Sequence, residues 1–275
     1  MPPPVLYCEE GGIRMTVYVE TLFAELADLP QVEAIALGGS SATGRYDEKS
    51  DYDVYVYLTD PVPEQIRREI LSKYCGYMEI ENRFWELEDD VTLLDGVDMD
   101  IIYRNLQDFQ EMVSGVVDCC TACNGYTTCM WHNLITGQIV FDRNGNLRKL
   151  QEKYRIPYPK KLKDAIISQN MKLLSGMLPS FDTQIQKAEN RGDLVSVNHR
   201  VTEFLASYFD VLFALNVMTH AGEKRMQSIC INECIILPEK FEENFHRLFT
   251  AMFRKSVYPV IRDMVQELRK VTENY

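Results

Sequence analysis

Apolar residues recur along this chain with two different periods. In the first half, short apolar runs that suit buried strands alternate with segments whose apolar residues recur at helical spacing. An Asp-Gly pair between two strand-like runs also predicts a hairpin. The predicted elements are a helix over 14–28, strands over 32–37 and 53–58, a helix over 63–73, hairpin strands over 91–94 and 97–103, a helix over 105–117 and a strand over 138–141.

Beyond residue 145 only helical patterns remain. Prolines 157 and 159 interrupt the connection, and no internal repeat is evident. The pattern therefore predicts an α+β fold in two domains, a small mixed sheet with helices over residues 1–145 and an all-helical bundle over 146–275. The predicted helices of the second domain cover 147–154, 162–177, 181–191, 194–220, 239–253 and 258–273.

One stretch, residues 35–58, combines two features that suit nucleotide chemistry. Gly38 and Gly39 end an apolar strand, and Ser40 supplies N-cap chemistry for a following turn. Such a glycine turn can hold a phosphate on its backbone N–H groups. Asp51 and Asp53 come next, two residues apart at the start of a β-prone run, so they project from one face. Paired carboxylates repel unless a cation lies between them, and hard oxygen ligands favour Mg²⁺.

This combination resembles the signature of the DNA polymerase beta-like nucleotidyltransferases, a Gly-Ser followed about ten residues later by Asp-x-Asp. Members of that family need a third carboxylate on a later strand. The segment 97–106, VDMDIIYRNL, looks like the third-strand segment of the small-molecule, antibiotic-type branch. Matched in this way, Asp100 is the third carboxylate, and Asp98, which points to the same face, is the alternative.

The resemblance implies a polymerase beta-like catalytic domain that transfers a nucleoside monophosphate, expected to be AMP from ATP, to a small acceptor and releases pyrophosphate. Asp51, Asp53 and Asp100 would bind Mg²⁺, which would lower the pKa of the attacking hydroxyl. Gly39 and Ser40 would orient the phosphates. Positioning and charge neutralisation account for most of such catalysis.

The helical half contributes two further candidates through the same resemblance. In the antibiotic-type enzymes a carboxylate of the helical domain is the general base toward the acceptor. Glu203, within the longest helical pattern, is the candidate here; a surface ion pair with Arg200 is the alternative, and His199 is a weaker candidate base. Lys224 matches a position from which a lysine can reach the triphosphate, or it is simply part of a basic pair at a helix end.

The charge balance bears on the acceptor. With 41 acidic against 29 basic residues, the net charge is −12. This disfavours a polynucleotide partner, because phosphate backbones are held mainly by clustered Lys and Arg. It suits a cationic small molecule, which an acidic cleft would concentrate. The acids Glu86, Glu88, Asp89 and Asp90 are predicted to form a solvated rim, with contact to a cationic acceptor as the alternative.

Hydropathy and cysteine content bear on the cellular compartment of the protein. No apolar run is as long as a membrane span, and the N-terminus lacks the regions of a signal peptide, so a cytoplasmic location with reduced thiols is expected. Four cysteines crowd into one segment. Packed or free thiols are favoured there over structural zinc. The cysteines concerned are Cys119, Cys120, Cys123 and Cys129.

Two other classes of function stay open on the sequence. One is an antitoxin-type enzyme that adenylylates a protein, and the other is a catalytically idle nucleotide-binding module. The three carboxylates argue against the idle module, and the size of the helical half favours a small acceptor over the minimal protein-modifying forms. The sequence leaves the acceptor and the choice between monomer and homodimer undetermined.

Overall fold

The computed structural model describes residues 15–39 and 51–274. Its first half alternates strands and helices, and its second half contains helices without strands among these residues. In chain order the helices are α1 (Val17–Asp28), α2 (Glu64–Leu71), α3 (Leu106–Val117), α4 (Cys129–Thr136), α5 (Asn146–Tyr154), α6 (Lys160–Leu174), α7 (Phe181–Asn190), α8 (Leu194–Leu215), α9 (Met226–Glu233), α10 (Phe241–Ala251) and α11 (Tyr258–Glu273).

Six strands form one mixed sheet in the order β3-β4-β5-β2-β1-β6. Only the central pair β2–β5 is parallel; the other neighbours in this sheet are antiparallel. This mixed sheet followed by helices confirms the predicted α+β class. The strands are β1 (Val32–Leu37), β2 (Tyr52–Leu58), β3 (Cys75–Asn82), β4 (Leu87–Leu93), β5 (Asp98–Asn105) and β6 (Gln138–Asp142).

One face of the sheet is covered by α1 and α2. Their apolar residues join the β-branched residues of β1, β2 and β5 in a single core, which includes Leu22, Phe23 and Leu71. Because side chains alternate across a strand, Tyr52, Val54 and Val56 enter this core while the residues between them lie on the opposite face. The acidic residues of β2 and β5 therefore lie on the face away from α1 and α2.

Several elements differ from the predicted pattern, which lacks the helix α4. The predicted pattern also lacks the edge strand β3. Cys75 is the one buried residue of this strand, so its apolar signal is weak. The helix α9 is also absent from the predicted pattern, and the long helix α8 ends at Leu215 rather than at residue 220. There Asn216 caps the helix through its side-chain amide, which donates to the carbonyls of Leu212 and Ile236.

The chain forms two compact units, one of residues 1–114 and 132–156, the other of 115–131 and 157–275. They differ from the predicted domains 1–145 and 146–275 in two respects. The helix α5 belongs to the unit that contains the sheet, and the segment 115–131 belongs to the helical unit. The division at residue 145 stays a prediction.

The helical unit is built around α8. The aromatic residues Phe204, Tyr208 and Phe209 join side chains of α7, α10 and α11 in one apolar core. A buried polar contact ties the segment before α4 to this helix, because the Asp210 carboxylate accepts hydrogen bonds from the Thr127 amide at 3.0 Å and hydroxyl at 2.6 Å. None of the helices within 15–39 and 51–274 is long and apolar enough to cross a membrane.

Candidate functional site

Two of the predicted carboxylates stand side by side on the sheet. In the parallel pairing of β2 with β5, Asp53 is the direct partner of Asp100. Neighbouring strands lie about 4.8 Å apart and paired residues share a face, so the two carboxylates project together. Both residues are half-buried. The long-range strand pairing thus brings together two acids that are 47 positions apart in the sequence.

Asp51 and Asp98 lie two residues before Asp53 and Asp100, respectively, at the N-terminal ends of β2 and β5. Asp51 immediately precedes β2, and Asp98 is the exposed first residue of β5. The Thr92 hydroxyl donates to the Asp98 carboxylate at 2.7 Å. Because Tyr52 pairs with Met99, Asp98 is level with Asp51 rather than with Asp53. The register therefore favours Asp100 over Asp98 as the neighbour of Asp53.

The turn after β1 lies against Asp53. The Gly38 amide donates to the Asp53 backbone carbonyl at 2.8 Å. Gly39 has a φ of 60°, and a Cβ at this position would overlap the Asp53 carboxylate. Only glycine combines this left-handed backbone with so close an approach. The predicted phosphate-binding turn and the first carboxylate strand are therefore in direct contact.

A third acid extends the row of carboxylates. Asp90 on β4 pairs with Asp100 on the other side of β5, so Asp53, Asp100 and Asp90 lie across three adjacent strands. Glu88 shares the face of Asp90. Burial, followed by the negative charges of Asp90, Asp100 and Glu86, raises the pKa of the Glu88 carboxyl. This face of the sheet is strongly negative.

The predicted solvated rim is wrong for part of the segment 86–90. Asp89 is fully buried on the α1 and α2 face, where it forms an ion pair with the buried guanidinium of Arg67. Glu86 accepts two hydrogen bonds from Arg104, at 2.8 and 2.6 Å. Asp90 accepts from the Asn82 side-chain amide. The acids are close together in the sequence, but alternate residues of β4 lie on opposite faces of the sheet. Neighbouring acids therefore have different environments.

The donor set suits a divalent cation. Asp53 and Asp100 supply hard carboxylate oxygens from paired positions, which is the ligand type that Mg²⁺ prefers. A cation would also relieve the repulsion among the acids, which adds to the rise that burial causes in the pKa of Glu88. Within residues 15–39 and 51–274, however, no three His, Cys, Asp or Glu side chains converge closely enough to hold a metal ion. The three-carboxylate set Asp51, Asp53 and Asp100 stays a prediction.

The remaining predicted residues are not part of this arrangement. Ser40 lies outside the described residues. Glu203 is half-buried on α8 of the helical unit, close enough to Tyr126 for its charge to contribute to the raised pKa of that phenol. His199 is exposed on the same helix, and Lys224 is exposed in the turn before α9. Their roles as base and phosphate ligand stay predictions.

Sequence reasoning missed two residues next to the carboxylates. Tyr55 and Arg104 lie on the same face, and the guanidinium of Arg104 stacks over the Tyr55 ring at 4.2 Å. Burial raises the pKa of Tyr55 to about 12; Arg104 opposes this rise and Asp53 adds to it. The available signal was the strand alternation itself, since Tyr55 follows Asp53 by two positions and Arg104 follows Asp100 by four.

The predicted cysteine cluster does not gather at one point. Cys129 contacts the His220 ring nitrogen Nδ1 at 3.5 Å, whereas the Cys120 thiol faces the carbonyl of Val117. Burial is the main cause that raises the pKa of the Cys129 thiol, to about 12. Within residues 15–39 and 51–274 the seven cysteines form no disulfide bond.

The helical unit contains a cavity of about 1270 Å³ beside α10. Its wall includes the aromatic side chains Phe245, Phe249 and Phe253, with Glu242 and Glu243 among its charged residues. Its size is sufficient for a drug-sized ligand.

Two family models match separate parts of the chain. Residues 19–123 match the model of the nucleotidyltransferase domain, and residues 127–224 match a domain of unknown function, DUF4037. Among curated proteins, none matches this sequence.

Three solved structures are similar over nearly the whole chain, though at low identity. A nucleotidyltransferase-like protein from Exiguobacterium sibiricum is 12% identical, with 94% of this chain and 74% of that chain covered and a TM-score of 0.43. An aminoglycoside 6-adenyltransferase from Bacillus subtilis is 10% identical, with 94% and 92% covered and a TM-score of 0.30. The Thermotoga maritima CCA-adding enzyme complexed with tRNA is 12% identical, with 95% and 71% covered and a TM-score of 0.34.

These three similarities are too distant to carry an argument about substrate. The match of residues 19–123 covers both the glycine turn and the paired carboxylates. It confirms the resemblance drawn from the sequence for this part of the chain: residues 19–123 form a nucleotidyltransferase domain.

Proposed function

We propose that this protein transfers a nucleoside monophosphate from a nucleoside triphosphate, with ATP as the first donor to test, to a hydroxyl of a small cationic acceptor of antibiotic type. The observation that carries the proposal is the pairing of Asp53 with Asp100 directly against Gly39. The carboxylates proposed for a cation lie beside the turn proposed for the phosphates.

Each residue has a distinct task in this reaction. Asp51, Asp53 and Asp100 would hold Mg²⁺, which would supply neutralisation of the phosphate charge and activation of the acceptor hydroxyl. Gly39 and Ser40 orient the phosphates through the turn, with Lys224 as a further contact to the triphosphate. Glu203 accepts the proton of the acceptor hydroxyl. Positioning and charge neutralisation supply most of the rate enhancement.

A cationic acceptor is supported by charge. The net charge of −12 and the row Asp53, Asp100 and Asp90 favour a positively charged partner over a polynucleotide. The size of the helical half supports a small acceptor. A cytoplasmic location, and a monomer or homodimer, complete the proposal.

The test is a matrix of labelled nucleoside triphosphates against aminoglycosides, lincosamides and candidate protein partners, with Mg²⁺ present and pyrophosphate release as the measure. We expect release with at least one cationic small acceptor, and none from Asp53→Asn. The matched control is Asp164→Asn, which removes an exposed acid in a surface pair with Lys160 on α6.

The outcomes separate the candidate functions. Label found only on a protein partner would replace the small acceptor by a protein-modifying activity. Triphosphate binding without transfer to any acceptor would support a catalytically idle module. Equal turnover by Asp53→Asn and the parent would refute the carboxylate assignment.

A further inference from the structure

A second layer of side chains lies beneath the glycine turn. A Cβ at Gly38 would overlap the Tyr55 ring, so this ring is the surface on which the turn rests. Tyr55 is buried, and its hydroxyl accepts a hydrogen bond from the Asn133 amide at 3.3 Å. The position of the ring therefore sets the position of the turn.

The Tyr55 ring is itself held by a buried cation. The Arg104 guanidinium lies 4.2 Å from the centroid of the Tyr55 ring and 5.2 Å from that of Phe109. Glu86 binds the guanidinium with both carboxylate oxygens. Such a two-point pair fixes the plane of an arginine, and a fixed plane restricts the aromatic ring stacked on it.

Neither Arg104 nor Glu86 belongs to the carboxylate row that would hold a cation. Arg104 lies four residues beyond Asp100 on β5, and its charge is paired with Glu86. Burying a guanidinium is costly even when it is paired, so a purely apolar side chain would fill this space at lower cost. What distinguishes Arg104 is its contact with the ring beneath the glycine turn.

We propose that Arg104 is a positioning residue for the nucleotide: fixed by Glu86, it holds the Tyr55 ring under Gly38 and thereby sets the position of the glycine turn beside Asp53. The inference rests on the proposed binding of triphosphate at this turn. Arg104 acts through Tyr55 and touches neither phosphate nor cation.

The chain provides a matched control for the test. Arg67 is a second buried arginine with carboxylate partners, Asp89 and Glu81, and it stacks over an aromatic ring, Tyr103. It lies on the opposite face of the sheet, away from the turn. Arg67→Met and Arg104→Met thus remove the same chemistry from comparable environments.

Binding of a non-hydrolysable ATP analogue with Mg²⁺ is measured by calorimetry, and each variant is melted thermally. We expect both methionine variants to lower the Tm. Arg104→Met should weaken analogue binding about tenfold, equal to about 1.4 kcal/mol. Arg67→Met should bind within about twofold of the parent, a factor worth about 0.4 kcal/mol. Equal weakening in both variants, or in neither, would overturn the proposal.

If a methionine variant does not fold, a more conservative pair of variants tests the role of Arg104. Glu86→Gln and Glu81→Gln alter half-exposed partners of the two arginines. Only Glu86→Gln should weaken binding, about threefold, equal to about 0.65 kcal/mol. Equal effects in both would refute the role of Arg104.

A kinetic readout distinguishes positioning from general damage. In the pyrophosphate assay, Arg104→Met should raise the KM for ATP with kcat nearly unchanged, as expected for lost ground-state binding. A fall in kcat alone would contradict the proposal. If the parent itself binds no nucleoside triphosphate, the proposed function fails and the inference fails with it.

Discussion

Replacing Gly39 by alanine tests the contact between the glycine turn and the carboxylates. Two costs follow from the structure. The φ of 60° at this position holds the new alanine in the left-handed region, which costs an L-residue roughly 1–2 kcal/mol. The new methyl group would also occupy the space of the Asp53 carboxylate, so that side chain must move.

The two costs can be separated with a matched glycine. Gly145 has a φ of 69°, but a Cβ there meets nothing within 4 Å. Gly145→Ala therefore carries the backbone strain without displacing a neighbour. Both variants should lower the Tm by roughly 2–8 °C on the strain alone. Only Gly39→Ala should affect the site.

The expected functional loss is large. A displacement of about 1 Å in a positioned catalytic group can cost roughly 10²-fold in rate. We expect Gly39→Ala to lose turnover by at least this factor and to bind the ATP analogue with Mg²⁺ more weakly, while Gly145→Ala retains both. Pyrophosphate release, calorimetric titration and thermal melting measure the three quantities. The reasoning is refuted if the two variants have the same turnover.

Three further predictions concern the acids. Asp100→Asn should lower turnover roughly 10²-fold or more because it removes a cation ligand, whereas Asp98→Asn should have a much smaller effect; a reversal would reassign the third carboxylate. Glu203→Gln should lower turnover roughly 10²–10⁴-fold with triphosphate binding intact, and unchanged turnover would remove it as the base. Burial raises the pKa of Asp210 from 3.8 to about 6, so the folded state binds the proton more tightly and the free energy of unfolding falls as pH rises from about 4 to 6. At about 1.4 kcal/mol per pKa unit, the free energy of unfolding should fall by about 3 kcal/mol over this range. Thermal melts across the range should show this fall in the parent and not in Asp210→Asn. An equal pH dependence in parent and variant would assign the fall to other groups.

The sequence alone predicts the glycine turn and the paired aspartates on which the proposed chemistry depends. Gly38 and Gly39 mark a tight turn because they follow an apolar run, and Asp51 and Asp53 share a face because strand residues alternate. The match of residues 19–123 to the nucleotidyltransferase domain agrees with the resemblance drawn from these residues. Strands with strong apolar content, such as β1 and β2, were also predictable, whereas β3 was not, since an edge strand needs little burial.

The environment of each acid was decided only by the tertiary structure. The run from Glu86 to Asp90 reads as uniformly solvated, yet Asp89 pairs with the buried Arg67 and Glu86 holds Arg104. The partners come from elements far away in the chain, and no local periodicity indicates which strand will lie beside which.

The pairing of Asp53 with Asp100 has the same origin. The sequence by itself determined that each acid would project from a strand, and on which side relative to its immediate neighbours. The register of β2 against β5 then decided that they stand opposite one another, with Asp90 next in the row. Strand register follows from the burial of a whole sheet face, because a slip of one residue would turn every apolar side chain of the strand toward water.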